Sequence, residues 1–164
     1  MNDNILYSPW RIDYILSKKT DDQCIFCINP SEDESHLVVY RSLKSFVILN
    51  LYPYNNGHIM VVPNKHIASL NDLDSIELSD LFSLVQQTEK IIKKVYTPDG
   101  INIGINLGKA AGAGIDSHLH VHLVPRWLGD NNFMTSIAGI RVIPEDFKKT
   151  YEKLKEAFDS DTHI

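Results

Sequence analysis

The chain is poor in cysteine, in long apolar runs and in net positive charge. Two cysteines among 164 residues cannot build a disulfide framework, and in a reducing compartment such a pair serves as thiols or metal ligands. No stretch approaches the roughly 20 consecutive apolar residues of a membrane-spanning helix. The opening Met1-Asn2-Asp3-Asn4 has neither the basic start nor the apolar run of a secretory leader, so a cytoplasmic location is expected. Lys and Arg number 16 against 21 Asp and Glu, a net charge of −5. That balance excludes a broadly basic nucleic-acid clamp, and neither nucleic acid nor membrane is expected as a partner. No internal repeat or low-complexity tract occurs. With 43% hydrophobic residues, the chain has the apolar material of one ordinary domain.

Residues 1–35 read as an irregular N-terminal extension, with a short amphipathic piece around Ile12 to Leu16 and a turn at Asn29-Pro30. A core follows over 36–135. Leu37-Val38-Val39-Tyr40 and Phe46-Val47-Ile48-Leu49 are β-branched and aromatic runs joined by a short polar link, as in a hairpin. Tyr52-Pro53-Tyr54-Asn55-Asn56-Gly57 is turn chemistry, and His58 to Val62 is a third strand stopped by Pro63. Asp74 stands three residues before Glu77, an acidic capping box. Leu78, Leu81, Phe82, Val85, Ile92 and Val95 then recur at helical spacing up to Thr97-Pro98-Asp99-Gly100. Ile101 to Leu107 reads as a fourth strand, Gly108 to Gly114 as a flexible glycine-rich loop and 118–124 as a fifth strand. In the last segment, 136–164, Pro144 opens a helix with the stripe Phe147, Tyr151, Leu154 and Phe158. The expected class is α+β: one domain with an antiparallel sheet of about five strands, one long helix and a C-terminal helix.

The segment His118-Leu119-His120-Val121-His122-Leu123-Val124 carries the chemistry. Alternation along a strand puts the three imidazoles on one face and Leu119, Val121 and Leu123 on the other. Three neutral imidazoles in a row have no packing use. As a metal site the row lacks the nearby carboxylate of a metallohydrolase and any His-Glu-x-x-His tract. A neutral imidazole can instead attack phosphorus, provided one neighbour fixes its tautomer and another steadies the developing charge. The preceding loop suits phosphate, because glycines bare backbone N–H groups to anions; Gly114 is the member nearest the histidines. It is not a P-loop, for the run Gly104 to Ala110 is one residue short and ends in Ala where Ser or Thr must meet magnesium. The pair Cys24-x-x-Cys27 leaves three readings open: zinc, a redox pair or plain thiols. A closed zinc site needs two more ligands, and His66 and His118 are the candidates.

These residues resemble the histidine triad (HIT) superfamily, whose signature is His-x-His-x-His followed by apolar residues. The resemblance spans about residues 24–135 and includes Gly57-His58-Ile59-Met60-Val61-Val62-Pro63 and Asn102-Ile103-Gly104-Ile105-Asn106. It is similar to the branch of bacterial diadenosine tetraphosphate phosphorylases and ATP adenylyltransferases in Pro9-Trp10-Arg11, Tyr52 to His58 and Pro125 to Phe133. The run Gly112-Ala113-Gly114-Ile115-Asp116-Ser117-His118 lacks the glutamine that many HIT hydrolases and phosphoramidases carry before the triad, which favours the phosphorylase branch.

The resemblance implies roles. His120 would be the nucleophile that attacks the α-phosphorus and carries the nucleotidyl group. His122 would contact phosphate oxygens and help the leaving group depart. Asn50 would contact ribose, Asn106 the phosphates and Trp127 the second nucleoside, with Lys109 neutralising polyphosphate charge. Zinc on Cys24, Cys27, His66 and His118 is implied as a structural cofactor, with no organic cofactor. So is a homodimer, or a tetramer, acting on adenine nucleotides or dinucleoside polyphosphates. Phosphorolysis of diadenosine tetraphosphate to ADP and ATP is the expected reaction. The alternatives are a dinucleoside polyphosphate or phosphoramidate hydrolase, a non-catalytic nucleotide-binding signalling module, and a metal-dependent enzyme built on the histidine row.

Overall fold

Alternation of apolar residues along the central strands decides which element covers which side of the sheet. The computed structural model describes residues 24–130 and 145–161. Five strands form one antiparallel sheet: β1 (Val38–Arg41), β2 (Ser45–Leu49), β3 (Ile59–Pro63), β4 (Gly100–Ile105) and β5 (Val121–Arg126), in the order β1-β2-β3-β5-β4. Among the described residues two α-helices, α1 (Ser75–Tyr96) and α2 (Phe147–Asp161), join this sheet in an α+β fold. The Pro9 run, the Ile12 to Leu16 piece, Asn131 to Phe133 and the Pro144 helix opening lie outside the described residues.

Register assigns the two faces. Leu49 pairs with Ile59, and Ile59 with Leu123; Val47 pairs with Val61, and Val61 with Val121. These residues face α1 and α2 and form one core with Leu81, Leu84, Val85, Ile91, Ile92, Leu154 and Phe158. On the other face Ile48 pairs with Met60, and Met60 with His122. There a smaller core of Val38, Phe46, Ile48, Met60 and Val62 packs around Phe26. Because both faces are covered, every residue of β2 and β3 is buried. Each such aliphatic side chain contributes about 1.5–3 kcal/mol.

Helix α1 begins as expected. Asp74 accepts hydrogen bonds from the Ile76 and Glu77 N–H groups, and Glu77 reaches back to the Asp74 N–H, worth about 1 kcal/mol. Thr97 ends it in a left-handed conformation, φ 42°. The buried stripe differs from the expected one. It runs Leu81, Leu84, Val85, Thr88, Ile91 and Ile92, while Leu78 and Phe82 face outward. Two adjacent stripes share Leu81, Val85 and Ile92, and polar Thr88 disguised the true one; its hydroxyl is satisfied by the Leu84 carbonyl at 2.7 Å. The glycine-rich segment is also more ordered than a flexible loop, with a 3-10 turn at Lys109–Ala111.

Candidate active site and metal centre

The histidines lie on the sheet face opposite the helices. Strand β5 begins at Val121 rather than 118, so only His122 belongs to the ladder. The reason is visible at Leu119, whose N–H donates to the Ile67 carbonyl at 2.6 Å. This bond draws the chain away from strand pairing and carries the His118 ring towards the cysteine loop. His118 and His120 are buried, at 1% and 5% exposure, and His122 is half-buried.

The four expected metal ligands come together. Cys24 Sγ lies 3.3 Å from His118 Nδ1, Cys27 Sγ 3.2 Å from His66 Nδ1 and 3.9 Å from His118 Nδ1. All four ligand atoms fall within 4.8 Å of one another. A tetrahedral zinc with ligand bonds of about 2.0–2.3 Å needs such spacings. The second nitrogen supports the same conclusion: His118 Nε2–H donates to the Pro63 carbonyl at 2.9 Å, which leaves Nδ1 as a lone-pair donor and fixes the ring. Burial and the adjacent Cys24 push the Cys27 thiol up, a penalty that a dication between the two sulfurs removes. The residues therefore fit a metal ion, and two sulfurs with two imidazole nitrogens suit zinc.

The other two triad histidines form a chain of fixed tautomers. His120 Nδ1–H donates to the His118 carbonyl at 2.8 Å, so its lone pair is on Nε2. The Tyr54 N–H donates to His58 Nδ1 at 3.0 Å. His58 therefore carries its proton on Nε2 and donates it to His122 Nδ1 at 2.9 Å. His122 is left with its own proton on Nε2. Burial is the main cause lowering the pKa of all three triad histidines. At His120 the bond to the His118 carbonyl opposes it; at His122 the neighbouring His120 adds to it, and the value falls to about 4. A neutral His120 keeps its nucleophilic lone pair, and a neutral His122 remains an N–H donor beside it, ring centroids 4.8 Å apart. Such a pair can form a bond to phosphorus and hydrogen-bond an oxygen of the same group.

His58 was absent from the sequence-based site and is its main addition. The Gly57-His58 motif pointed to it, but only the β3–β5 register brings it to His122. The residues expected to bind nucleotide lie in the segments after β2 and β4 and on either side of β5. Asn50 holds the His58 turn: its Nδ2 is 3.2 Å from His58 Nδ1 and its Oδ1 accepts from the Tyr52 N–H. Asn106 is half-buried just after β4. Gly114 is exposed, with open space where a Cβ would stand. Lys109 is exposed and pairs with Asp116 at 3.8 Å. Trp127 is half-buried, edge-on to Tyr96 at 6.4 Å. A small hollow of about 10 Å³ lies beside His58, lined by Asn50, Asn55, Asn56 and Glu145 among others. His120 does not line it.

The HIT domain family matches residues 31–127. The chain is 40% identical over 154 residues to an AP-4-A phosphorylase of Mycobacterium tuberculosis, covering 88% of this chain and 79% of that protein. It is 40% identical over 93 residues to an asymmetrical bis(5'-nucleosyl)-tetraphosphatase of Schizosaccharomyces pombe, covering 57% of this chain and 50% of that one. Among solved structures it is similar to a Zn-bound histidine triad family protein of Mycobacterium smegmatis. There the identity is 28% and the TM-score 0.68, over 87% of this chain and 98% of that one.

Proposed function

This chain belongs to the HIT family, and from that premise we propose that it transfers a nucleotidyl group through His120, with phosphorolysis of diadenosine tetraphosphate as the reaction. The observation that carries this reading is the tautomer chain. His120 Nε2 is left as a lone pair and His122 Nε2 as a proton donor by the bonds at their other nitrogens. His120 Nε2 attacks the α-phosphorus, the bond from that phosphorus to the bridging oxygen breaks, and ATP leaves. His122 Nε2–H hydrogen-bonds the phosphoryl oxygens and helps the departing oxygen leave. Inorganic phosphate then displaces His120 from the adenylyl group, giving ADP. Two steps let one imidazole act first as nucleophile and then as leaving group. The exposed loop at Lys109 and Gly114, with Asn106, is assigned to the phosphate chain, and Asn50 and Trp127 to the nucleosides.

Cys24, Cys27, His66 and His118 would hold a zinc ion. With four protein ligands it would supply a structural cross-link. This arrangement suits a reducing, cytoplasmic setting in which thiols persist. No helix among the described residues is long and apolar enough to cross a membrane. Strand β4 ends the sheet and exposes Ile103, an edge that a second copy would pair with to make a homodimer.

The test is to incubate the protein with diadenosine tetraphosphate, with and without inorganic phosphate. ADP and ATP appearing only with phosphate is the expected result. AMP and ATP without phosphate would make it a hydrolase, the reading favoured by the tetraphosphatase similarity. Tight AMP binding without any product would make it a binding module. Elemental analysis of the same preparation should read about one zinc per chain, and a folded protein without metal would remove the zinc assignment.

A further inference from the structure

Phe26 lies between the two cysteines, and its ring is 3% exposed. Its centroid is 5.5 Å from the His118 ring, edge-on, and 5.1 Å from the His120 ring, tilted by 43°. One side chain therefore touches both a metal ligand and the proposed nucleophile. The hydrogen bond from His120 Nδ1 to the His118 carbonyl fixes one nitrogen, yet a single bond leaves the imidazole free to rock about it. Phe26 bears on one side of the ring and His122 meets it edge-on at 78°.

The ring of Phe26 is itself held. It packs in the smaller core with Val38, Phe46, Ile48, Met60 and Val62. Its backbone sits in a turn closed by the Cys27 N–H to the Cys24 carbonyl at 3.1 Å. Just beyond, Arg41 Nη2 donates to the Ile28 carbonyl at 3.3 Å. Arg41 is clamped by Asp33 at 2.6 Å and stacks over Phe46 at 4.6 Å.

We infer that Phe26 is a positioning residue for His120: the cysteine loop, closed at Cys24 and Cys27, presses this ring against the nucleophile and keeps Nε2 aimed at the incoming phosphorus. The inference rests on the reading of His120 as nucleophile. It gives the cysteine loop a part in the reaction beyond holding metal, since loop and nucleophile share one aromatic contact. A misaimed nucleophile costs rate rather than affinity.

Phe26→Leu tests it, since leucine keeps a buried apolar side chain and removes the flat ring; Phe26→Met takes its place if that variant does not fold. Three readouts are taken together: kcat and KM for diadenosine tetraphosphate, zinc content, and the ring nitrogen and proton resonances of His120. Expected are a fall in kcat of about tenfold, a KM within about twofold of the parent, zinc retained in full, and a His120 Nδ1–H resonance that shifts or broadens. Parental kcat with unchanged His120 resonances overturns the inference. So does a loss of kcat that vanishes when rates are expressed per bound zinc. If the parent protein turns over no dinucleotide, the functional reading fails by itself. The His120 resonances of parent and variant then still decide whether Phe26 positions the ring.

Discussion

The two faces of the sheet are built from the same strands and do different work. On the helix side, β3 and β5 contribute Ile59, Val61, Val121 and Leu123, all at 0–1% exposure and all apolar. On the other side the same region contributes His58, Met60, Val62 and His122, with His118 and His120 just before the strand. The first face gains stability from area removed from water, and many side chains share that gain. The second buries imidazoles, each of which would cost free energy without a partner. Every one has a partner: His118 the Pro63 carbonyl, His120 the His118 carbonyl, His58 the Tyr54 N–H and the His122 ring. Period-two alternation thus lets one strand hold the fold together with one set of residues and hold tautomers with the other. The apolar face tolerates averaging over many contacts, whereas the histidine face depends on single bonds.

That contrast is sharpest in two opposed substitutions. His120→Ala removes the proposed nucleophile, and turnover of diadenosine tetraphosphate should fall about 1,000-fold or more. Its cost in stability should be about 1–2 kcal/mol, from one lost hydrogen bond and its orphaned carbonyl. Chemical denaturation alongside a product assay reads both. Phe158→Ala is the converse. Phe158 is at 0% exposure and stacks on Tyr40 at 5.1 Å, so its truncation should cost about 3–5 kcal/mol, with kcat per folded molecule near the parent value. A fold lost with His120→Ala, or a kcat lost with folded Phe158→Ala, would break the division between the faces.

Local signals made most of this architecture legible. The hairpin, the Asp74–Glu77 cap and the stripe at Tyr151, Leu154 and Phe158 depend on neighbours within a few positions, and each stands as expected. The set Cys24, Cys27, His66 and His118 was legible because the ligand types are scarce: two cysteines and seven histidines in the whole chain. The role of His58 was not, for although the Gly57-His58 motif marks the residue, its contact with His122 comes from the Met60–His122 pairing, 62 residues apart in sequence. Nor was the departure of His118 and His120 from the strand, which follows from the Leu119 bond to Ile67. Lys109 illustrates the limit of composition: a lysine beside a glycine-rich loop suggests phosphate, and only the structure reveals Asp116 beside it.

The last expected effect concerns pH. His122 is held neutral in the folded protein, with its pKa lowered from 6.5 to about 4 by burial and by His120. In the unfolded chain the ring regains its ordinary value. Between these values the unfolded state binds the extra proton, so stability rises with pH across the window. The contribution is fully present above about 6.5, is lost progressively on acidification and is gone below about 4. His122→Asn removes the titrating group while keeping a side chain able to pair with His58. Denaturation midpoints measured from pH 7 to pH 4 should therefore fall more steeply for the parent than for this variant. Acid-sensitive groups that do not touch His122, the proposed zinc ligands among them, act equally on both proteins and cancel in the difference. Parallel curves would mean that His122 titrates in the fold as it does in the unfolded chain, and a parent curve shallower than the variant's would mean that the fold favours the charged ring; either result would remove the neutral donor that the tautomer chain requires.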